Sequence, residues 1–236
     1  MGLLKIIKTN RLRLGAPDCQ YPFLSAAVLV HQKALHGLLS RNASGIFLDI
    51  GAGVSPYRQI VNPLIERYFS LDISVRSLPL DCIGDVEHLP FKDGSAHTIL
   101  CAQVLEHVPH PHLALKEMCR VLKKGGKLIL TVPHLSRIHE APHDYFRFTQ
   151  YGIQLLCQES GLRILSLNPV GSLFSFLGHT FSTVFLGLFG VVPGVKRLAH
   201  LVNLAISYGI IFFDARIDKL GIFALNYHAV VEKPRG

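Results

Sequence analysis

The chain has 236 residues, of which 49% are apolar and only 17% are charged, and its formal net charge is +8. This apolar content excludes a disordered chain, and the length suits one α/β domain with an added subdomain. The five cysteines are scattered without a C-x-x-C pair, which favours reduced thiols in a cytosolic compartment over a disulfide framework or a zinc knuckle. Basic residues cluster at Lys5, Lys8, Arg11 and Arg13, but no aromatic-interleaved RNA-binding pattern accompanies them, so no nucleic-acid partner is predicted.

The N-terminal region, residues 1–44, is predicted to be a helical segment. Its first apolar run is too short for a secretory signal, and Arg11 and Arg13 interrupt the stretch after it, so no cleaved targeting signal is predicted. A helix is predicted over residues 22–39, and the stretch from Asn42 to Gly45 ends it.

Strand-like and helix-like stretches alternate from residue 45 onward. The strand-like runs are "GIFLDIGAG", "RYFSLDIS", "LPLDCIGD", "HTILCAQV" and "GKLILTVP". Between the last two, residues 111–124 form the clearest predicted helix, with Pro111 in its first turn and Gly125 as its C-cap. Strands that alternate with helices predict an α/β fold with a doubly wound, mostly parallel sheet.

The C-terminal third has an unusual charge distribution. No Asp, Glu, Lys or Arg occurs from Ile164 to Val195, or from Leu198 to Phe213, which predicts an apolar helical insertion over residues 170–221. The flanking runs "LRILSL" and "NYHAVVE" are predicted to be the last two strands, antiparallel neighbours in one sheet, so a single membrane span between them is excluded. A shallow contact with a membrane surface, a soluble apolar cap or homodimer face, and a two-span hairpin all stay open.

A glycine turn comes directly after the first strand-like run. Gly51 and Gly53 allow the backbone to turn tightly with a ligand pressed against it. Pro56 stands where a dinucleotide fingerprint has its third glycine, which weakens a pyrophosphate interpretation. Ser55 and Pro56 are instead predicted to be the N-cap and the first residue of a helix.

Two acidic residues accompany this turn. Asp72 ends the second run, about 20 residues beyond the glycines, where an acid can accept both hydroxyls of a ribose. Asp85 comes after the third run, where an acid beside a backbone N–H can bind the edge of adenine. Each acid alone is more often a helix cap or a solvated strand end, so only the joint pattern predicts a cofactor site.

The ordered motifs "FLDIGAGVSPY", "LDIS", "GDVEHLPFKDGSAHTILCAQVLEHVPHP" and "LKEMCRVLKKGGKLILTVPH" resemble the class I S-adenosylmethionine-dependent methyltransferases, in the small-molecule subgroup with an "LPF…VLEHV" signature. The resemblance covers roughly residues 45–165 and the last strand. It implies a seven-stranded, Rossmann-like sheet over residues 45–169 and 222–234. Two departures are Ala96-His97, where the family often has Phe-Asp, and the missing third glycine.

The resemblance implies a role for each matched position. Asp49, Gly51, Ala52 and Gly53 would hold the methionine part of S-adenosylmethionine. Asp72 and Ile73 would hold its ribose, and Asp85 and Val86 its adenine. Ala102 and Gln103 would line its sulfonium. The run "HLSRIHEAPHDYFRFT" is similar to a segment that covers the acceptor pocket in a subgroup of the family. The predicted acceptor side comprises the candidate bases His107, His134 and His143 and the candidate acceptor-binding residues His139, Asp144, Tyr145 and Arg147.

Alternatives remain for several of these residues. His107 could be a structural hydrogen-bonding residue, and Asp144 or Arg147 could anchor the segment. No metal is predicted, because Pro142 would break the helix that an H-E-x-x-H zinc motif requires at His139. Thr149 is predicted to cap the next helix.

Methyl transfer from a sulfonium is an in-line displacement in which the protein supplies positioning and, for a hydroxyl acceptor, a base. The predicted protein is therefore a cytoplasmic methyltransferase for a small or lipid-linked acceptor, with contact at the inner face of the membrane and homodimer formation left open. The alternative is a non-catalytic, membrane-associated scaffold of the same fold. A nicotinamide oxidoreductase is disfavoured by Pro56.

Overall fold

The computed structural model describes residues 25–74, 80–217 and 221–235. The predictions for the N-terminal basic cluster, for targeting signals and for the first residues of the 22–39 helix therefore lie outside the described residues. The chain divides into two compact units, one comprising residues 1–33 and 170–225 and the other comprising residues 34–169 and 226–236.

The described strands form one seven-stranded sheet. In chain order they are β1 (Ile46–Ile50), β2 (Arg67–Asp72), β3 (Cys82–Ile83), β4 (Ala96–Ala102), β5 (Leu122–Pro133), β6 (Arg163–Val170) and β7 (Asn226–Glu232). Their order across the sheet is β3-β2-β1-β4-β5-β7-β6. β1 pairs in parallel with β2 and β4, and β4 with β5, whereas β7 is antiparallel to β5. The predicted doubly wound, mostly parallel, Rossmann-like sheet is confirmed.

Six described helices accompany the sheet. They are α1 (Ala26–Asn42), α2 (Arg58–Val61), α3 (Pro111–Val121), α4 (Gln150–Glu159), α5 (Leu173–Phe189) and α6 (Lys196–Ile217), with short 3-10 turns at Asn62–Leu64 and Leu105–His107. The central strands are apolar on both faces because helices cover both sides of a parallel sheet. Leu35 and Leu39 of α1, for example, pack with Phe47 of β1 and Leu100 of β4 in one buried cluster.

Local chemistry explains where the helices begin, and it corrects two predictions. Thr149 caps α4 as predicted, since its Oγ1 accepts a hydrogen bond of 3.1 Å from the Gly152 N–H. Gly125 is not the C-cap of α3: this helix ends at Val121 and the chain continues directly into β5, where Gly125 has φ +77°. Ser55 is not an N-cap either, because it has φ +51° and α2 begins only at Arg58.

The smaller unit contains α5 and α6, which pack against each other. Gly178 permits this approach, since a Cβ at that position would lie 2.5 Å from Ile210 Cδ1. In the same unit Ser25 Oγ and His179 Nδ1 are 2.9 Å apart. Among the described helices, none combines the length and the apolar content that crossing a membrane requires.

Candidate cofactor and acceptor site

A cavity of about 670 Å³ opens at the carboxyl ends of β1, β2 and β4. Ligands of open parallel sheets bind at this edge, because the turns that leave the strands meet there. The cavity is lined by Ile50, Gly51, Gly53, Leu71, Asp72, Ile73, Gly84, Asp85, Val86, Glu87, Gln103, Val104, His107, Val108, Pro109, His110, Glu140, His143 and Tyr145. It therefore combines residues predicted for the cofactor with residues predicted for the acceptor.

The glycine turn is fixed to the end of β2. The N–H groups of Gly51 and Ala52 donate to the Leu71 carbonyl at 2.8 and 3.0 Å. Gly51 has φ +68°, and a Cβ there would lie 2.3 Å from Val104 Cγ2, so only glycine fits. The Gly53 N–H donates to Asp72 Oδ2 at 2.9 Å. Asp72 thus holds the turn while it lines the cavity.

Asp49 lies beneath the turn. Its side chain is buried, and Oδ2 accepts a hydrogen bond from the Tyr68 hydroxyl. Burial raises the pKa of Asp49 to about 7; the Tyr68 hydrogen bond opposes this rise and the nearby charge of Asp72 adds to it. Neither Asp49 nor Ala52 lines the cavity, so both support the turn from behind.

Asp85 and Val86 line the cavity beyond β3. Asp85 Oδ1 accepts a hydrogen bond of 2.9 Å from the Glu87 N–H, and the Gly84 N–H donates to the Asp72 carbonyl at 3.0 Å. Val86 is buried and offers an apolar surface. An apolar wall next to a carboxylate suits a planar base with polar edges, as predicted for adenine.

Gln103 marks the point where the chain leaves β4. It has φ +58°, its N–H donates to the Thr131 carbonyl at 2.9 Å, and Nε2 donates to Thr131 Oγ1 at 3.3 Å. A residue other than glycine adopts this left-handed backbone conformation only where surrounding contacts hold it there. Gln103 lines the cavity, whereas Ala102 packs against the core cluster.

Glu106 was not predicted as a site residue, although it belongs to the "LEH" run. It is fully buried, and neither carboxylate oxygen has a hydrogen-bond partner among the described residues. Burial raises its pKa to about 8; its own backbone N–H and the charge of Arg147 oppose this rise, and the charges of Asp144 and Glu140 reinforce it. Its carbonyl accepts from the N–H groups of Tyr145 and Phe146 at 2.8 and 3.3 Å. The only sequence signal for this residue was the motif itself.

The residues from His134 to Thr149 are called the acceptor segment below. They form turns and irregular chain without a helix, so the two histidines of the H-E-x-x-H run are not presented on a helix face. Asp144 accepts from Arg147 Nη1 and Nη2 at 2.7 and 2.8 Å, and from the His139 N–H at 2.7 Å. These hydrogen bonds hold the pKa of Asp144 well below its ordinary value. Arg147 also donates to the Ser136 and Arg137 carbonyls.

The structure brings only part of the predicted acceptor side to the cavity. His107, His143 and Tyr145 line it, and His143 Nδ1 lies 3.1 Å from the Tyr145 hydroxyl. His134 packs its ring 5.3 Å from that of Tyr227 and does not line the cavity. Asp144 and Arg147 also do not line it, and their mutual pairing fits the anchoring alternative.

Comparison with known families assigns the central part of the chain. The family described as "Methyltransferase domain" matches residues 48–130, which include the glycine turn, Asp72, Asp85 and Glu106. An uncharacterised protein of Methanocaldococcus jannaschii is 37% identical over 93 residues, or 37% of this chain and 40% of that protein. The ubiquinone/menaquinone biosynthesis C-methyltransferase UbiE of Neisseria meningitidis serogroup C is 41% identical over 69 residues, or 28% of this chain and 27% of that protein. The chain thus spans less than half of these curated relatives.

Solved structures agree on the fold. The [4+2]-cyclase SpnF has a TM-score of 0.63 and 16% identity over 100% of this chain and 96% of its own. A phosphoethanolamine N-methyltransferase 2 of Haemonchus contortus, in complex with S-adenosyl-L-methionine, has a TM-score of 0.57 and 13% identity over 89% of this chain and 56% of its own. Residues 48–130 thus match a methyltransferase domain, and the shared fold agrees with the class I S-adenosylmethionine-dependent methyltransferase that the sequence predicted. S-Adenosylmethionine is the cofactor of that enzyme class.

Proposed function

We propose that this protein transfers the methyl group of S-adenosylmethionine directly to a small or lipid-linked acceptor. The observation that carries the proposal is the composition of one cavity. Gly51, Gly53 and Asp72 line it together with His107 and His143, so a cofactor and an acceptor can meet in a single space. In-line transfer needs this proximity more than it needs a nucleophilic side chain.

The cofactor half of the cavity suits S-adenosylmethionine in three parts. Asp72 offers carboxylate oxygens for ribose hydroxyls, and Asp85 with Val86 suits adenine. The tight turn at Gly51 and Gly53 leaves room for the methionine part, with Asp49 and Ala52 in support behind it. Gln103, directly after β4, is the proposed neighbour of the sulfonium.

The acceptor half suits a molecule that gives up a proton or is already nucleophilic. His107 and His143 are the proposed proton acceptors for a hydroxyl, and Tyr145, which is about half exposed, is the proposed contact at the mouth of the cavity. His134 is a weaker candidate because its ring lies against Tyr227. His139, Asp144 and Arg147 are proposed to act through the shape of the acceptor segment.

Proteins similar to this chain leave the methylated atom open. UbiE is named for C-methylation in ubiquinone/menaquinone biosynthesis, and the Haemonchus contortus protein is named for N-methylation of phosphoethanolamine. The first name favours a lipid-linked acceptor and the second a small polar one. Both fit the acceptor class proposed here.

A lipid-linked acceptor would also give a role to the smaller unit. α5 and α6 expose many large apolar side chains: Phe176, Leu177, Phe181, Val184, Phe189, Leu198, Leu201, Val202, Ile206, Tyr208 and Phe212. Lys196 and Arg197 begin α6, where cations can meet anionic headgroups. We propose that this apolar surface, defined by the residues above, contacts the cytoplasmic face of a membrane.

Calorimetric titration tests the cofactor. Binding of S-adenosylmethionine and S-adenosylhomocysteine, without binding of NAD, is expected. Failure to bind the first two would reject the proposed function, and NAD binding in their place would indicate an oxidoreductase. Incubation with methyl-deuterated S-adenosylmethionine and either polar metabolite extracts or lipid extracts should then yield a labelled product from one of the two. Binding without any labelled product would favour the scaffold alternative.

Vesicle flotation tests the apolar surface. The full-length chain is expected to float with anionic vesicles, whereas a variant with Phe181→Ser and Leu201→Ser should remain at the bottom of the density gradient. A matched control, Val54→Ser, changes an exposed apolar residue of the larger unit. The membrane contact would be rejected in favour of a homodimer face if the wild-type chain did not bind vesicles and sedimented as a dimer, whereas the double variant sedimented as a monomer.

A further inference from the structure

A buried carboxylate lies beside two histidines at the acceptor half of the cavity. Glu106 is 0% exposed, and Oε1 and Oε2 are both without a hydrogen-bond partner in the described part of the chain. Desolvating a carboxyl group is costly unless hydrogen bonds, an opposite charge or a metal ion compensate. Hydrogen bonds from other described residues are absent, so either protonation of the carboxyl group or a bound ion must compensate.

The distances around Glu106 suit a bound ion. His107 Nε2 lies 3.8 Å and His139 Nε2 3.9 Å from Glu106 Oε1, and one ligand atom from each of the three side chains lies within 4.8 Å of the other two. Bonds of about 2.1 Å to one tetrahedral ion would separate its ligands by roughly 3.4 Å. Shifts of a few tenths of an ångström, up to about one, would therefore bring the three atoms to a common centre.

The hydrogen bonds of His107 turn the correct nitrogen toward Glu106. Its Nδ1 lies 2.6 Å from the His143 carbonyl, and a carbonyl can only accept. Nδ1 therefore carries the proton, and the lone pair of Nε2 faces Glu106. Histidines that bind metals are commonly held in this way, with the other ring nitrogen donating to a carbonyl or carboxylate.

His139 is held in a similar way. Its Nδ1 lies 3.3 Å from the Arg137 carbonyl and 3.5 Å from Asp144 Oδ2. Arg147 Nη2 also contacts Nδ1 at 3.4 Å, but its hydrogen bonds to the Arg137 carbonyl at 2.6 Å and to Asp144 Oδ2 at 2.8 Å are much shorter. The His139 Nδ1–H can therefore donate, which again leaves Nε2 for an ion.

We propose that Glu106, His107 and His139 form a binding site for one divalent transition-metal ion of the zinc type. Two imidazole nitrogens and one carboxylate oxygen are a ligand set that zinc accepts with a further position open to water or substrate. Because His107 also lines the cavity, an acceptor oxygen can reach that position, where the ion would polarise it and lower its pKa. In that state His107 is a ligand and leaves the role of base to His143.

This site differs from the H-E-x-x-H motif that Pro142 excludes. It takes only His139 from that run, and its other two residues come from the 3-10 turn after β4. Ion binding does not depend on methyl transfer, so the two proposals can fail separately.

Metal titration of the full-length, untagged chain tests the site. After treatment with a chelator and removal of the chelator, Co²⁺ is expected to give visible d–d absorption that saturates at one ion per chain. Zn²⁺ should bind with the same stoichiometry by calorimetry and displace Co²⁺, whereas Mg²⁺ should not. Absence of the absorption, or of stoichiometric Zn²⁺ binding, would overturn the proposal.

Substitutions locate the ion. Glu106→Gln and His139→Ala should each weaken Zn²⁺ binding by about 100-fold or more, and Asp144→Asn, which alters the support of His139, by about 10–100-fold. His88→Ala and His112→Ala, at exposed histidines, should leave it unchanged. Titration with S-adenosylhomocysteine verifies that each variant is folded, and its affinity should stay within twofold. Unchanged Zn²⁺ binding in folded Glu106→Gln and His139→Ala would show that the ion binds elsewhere and reject the site.

Discussion

The two halves of the cavity are built by different means. In the cofactor half, main-chain hydrogen bonds tie the glycine turn to the end of β2, and Asp72 completes the connection through the Gly53 N–H. In the acceptor half, the acceptor segment has no regular structure and depends on the pairing of Asp144 with Arg147. The sheet thus fixes the first half, and side chains fix the second. A change in one half should therefore leave the other largely intact.

Asp72→Ala is expected to give the largest difference between its effects on the cofactor half and on the acceptor half. It removes charged hydrogen bonds to the ribose and the acceptor of the Gly53 N–H, and each hydrogen bond to a charged group contributes about 1.5–3 kcal/mol. The affinity for S-adenosylhomocysteine, measured by calorimetry, should fall by roughly 100-fold or more. Asp93→Ala is the control, because Asp93 is an exposed acid that pairs with Arg120. Equal affinity of the Asp72 variant and the wild type would contradict the ribose assignment.

A matched pair of glycine substitutions tests how strictly the sheet fixes the cofactor half. Gly51→Ala and Gly53→Ala share a positive φ, but a Cβ meets Val104 at 2.3 Å only at Gly51 and meets nothing within 4 Å at Gly53. Left-handed backbone costs a residue with a side chain about 1–2 kcal/mol, and overpacking adds about 1–3 kcal/mol. Denaturant unfolding without ligand should show the larger loss for Gly51→Ala. Equal losses would mean that Val104 moves aside freely.

The acceptor half is tested by Arg147→Lys. Lysine keeps the positive charge but lacks the planar guanidinium group, whose several N–H donors bind both oxygens of Asp144 and the carbonyls of Ser136 and Arg137. We expect amide hydrogen exchange of residues 134–149 to become about 10-fold faster, which corresponds to about 1.4 kcal/mol of local stability. The affinity for S-adenosylhomocysteine should stay within twofold. A parallel loss of that affinity would show that the halves are coupled.

A pH dependence of stability tests the cofactor half by a further measurement. The pKa of Asp49 is raised from 3.8 to about 7 in the folded chain, so between about pH 4 and pH 7 the folded state retains a proton that the unfolded state releases. Stability is therefore lost as the pH rises through this window. Asp49→Asn should remove the loss, so the variant should gain melting temperature relative to the wild type between pH 4 and pH 8, with the difference appearing at pH 8 and not at pH 4. A constant difference at both pH values would contradict the assignment.

The structure brings more of the predicted cofactor residues than of the predicted acceptor residues to the cavity, and this has a physical reason. Strand ends and glycine turns are local, so the positions of Gly51, Asp72 and Asp85 can be inferred from the alternation of strands and helices. Asp49 and Ala52 belong to the same motif but do not line the cavity. Asp49 is a residue of β1, where neighbouring side chains point to opposite faces, so it faces away from the side of Ile50, which lines the cavity. Sequence spacing alone does not show which face meets the ligand.

The acceptor half depends on contacts between distant residues. Glu106 lies close to His139 although more than thirty residues separate them in the sequence, and no local sequence pattern predicts this contact. Asp144 and Arg147 are only three positions apart, but that spacing by itself does not decide between a mutual ion pair and contact with a ligand. The misplaced caps at Ser55 and Gly125 have a different origin: both residues have positive φ, which serves a turn in one case and a strand irregularity in the other.

The position of β7 also constrains how the chain is made. β6 neighbours only β7 in the order β5-β7-β6, so it cannot join the sheet until residues 226–232 have left the ribosome. By then the whole apolar stretch of α5 and α6 has already emerged, and nascent chains expose such surfaces to aggregation. The helices α5 and α6 are therefore synthesised before the strand that connects β6 to the rest of the sheet.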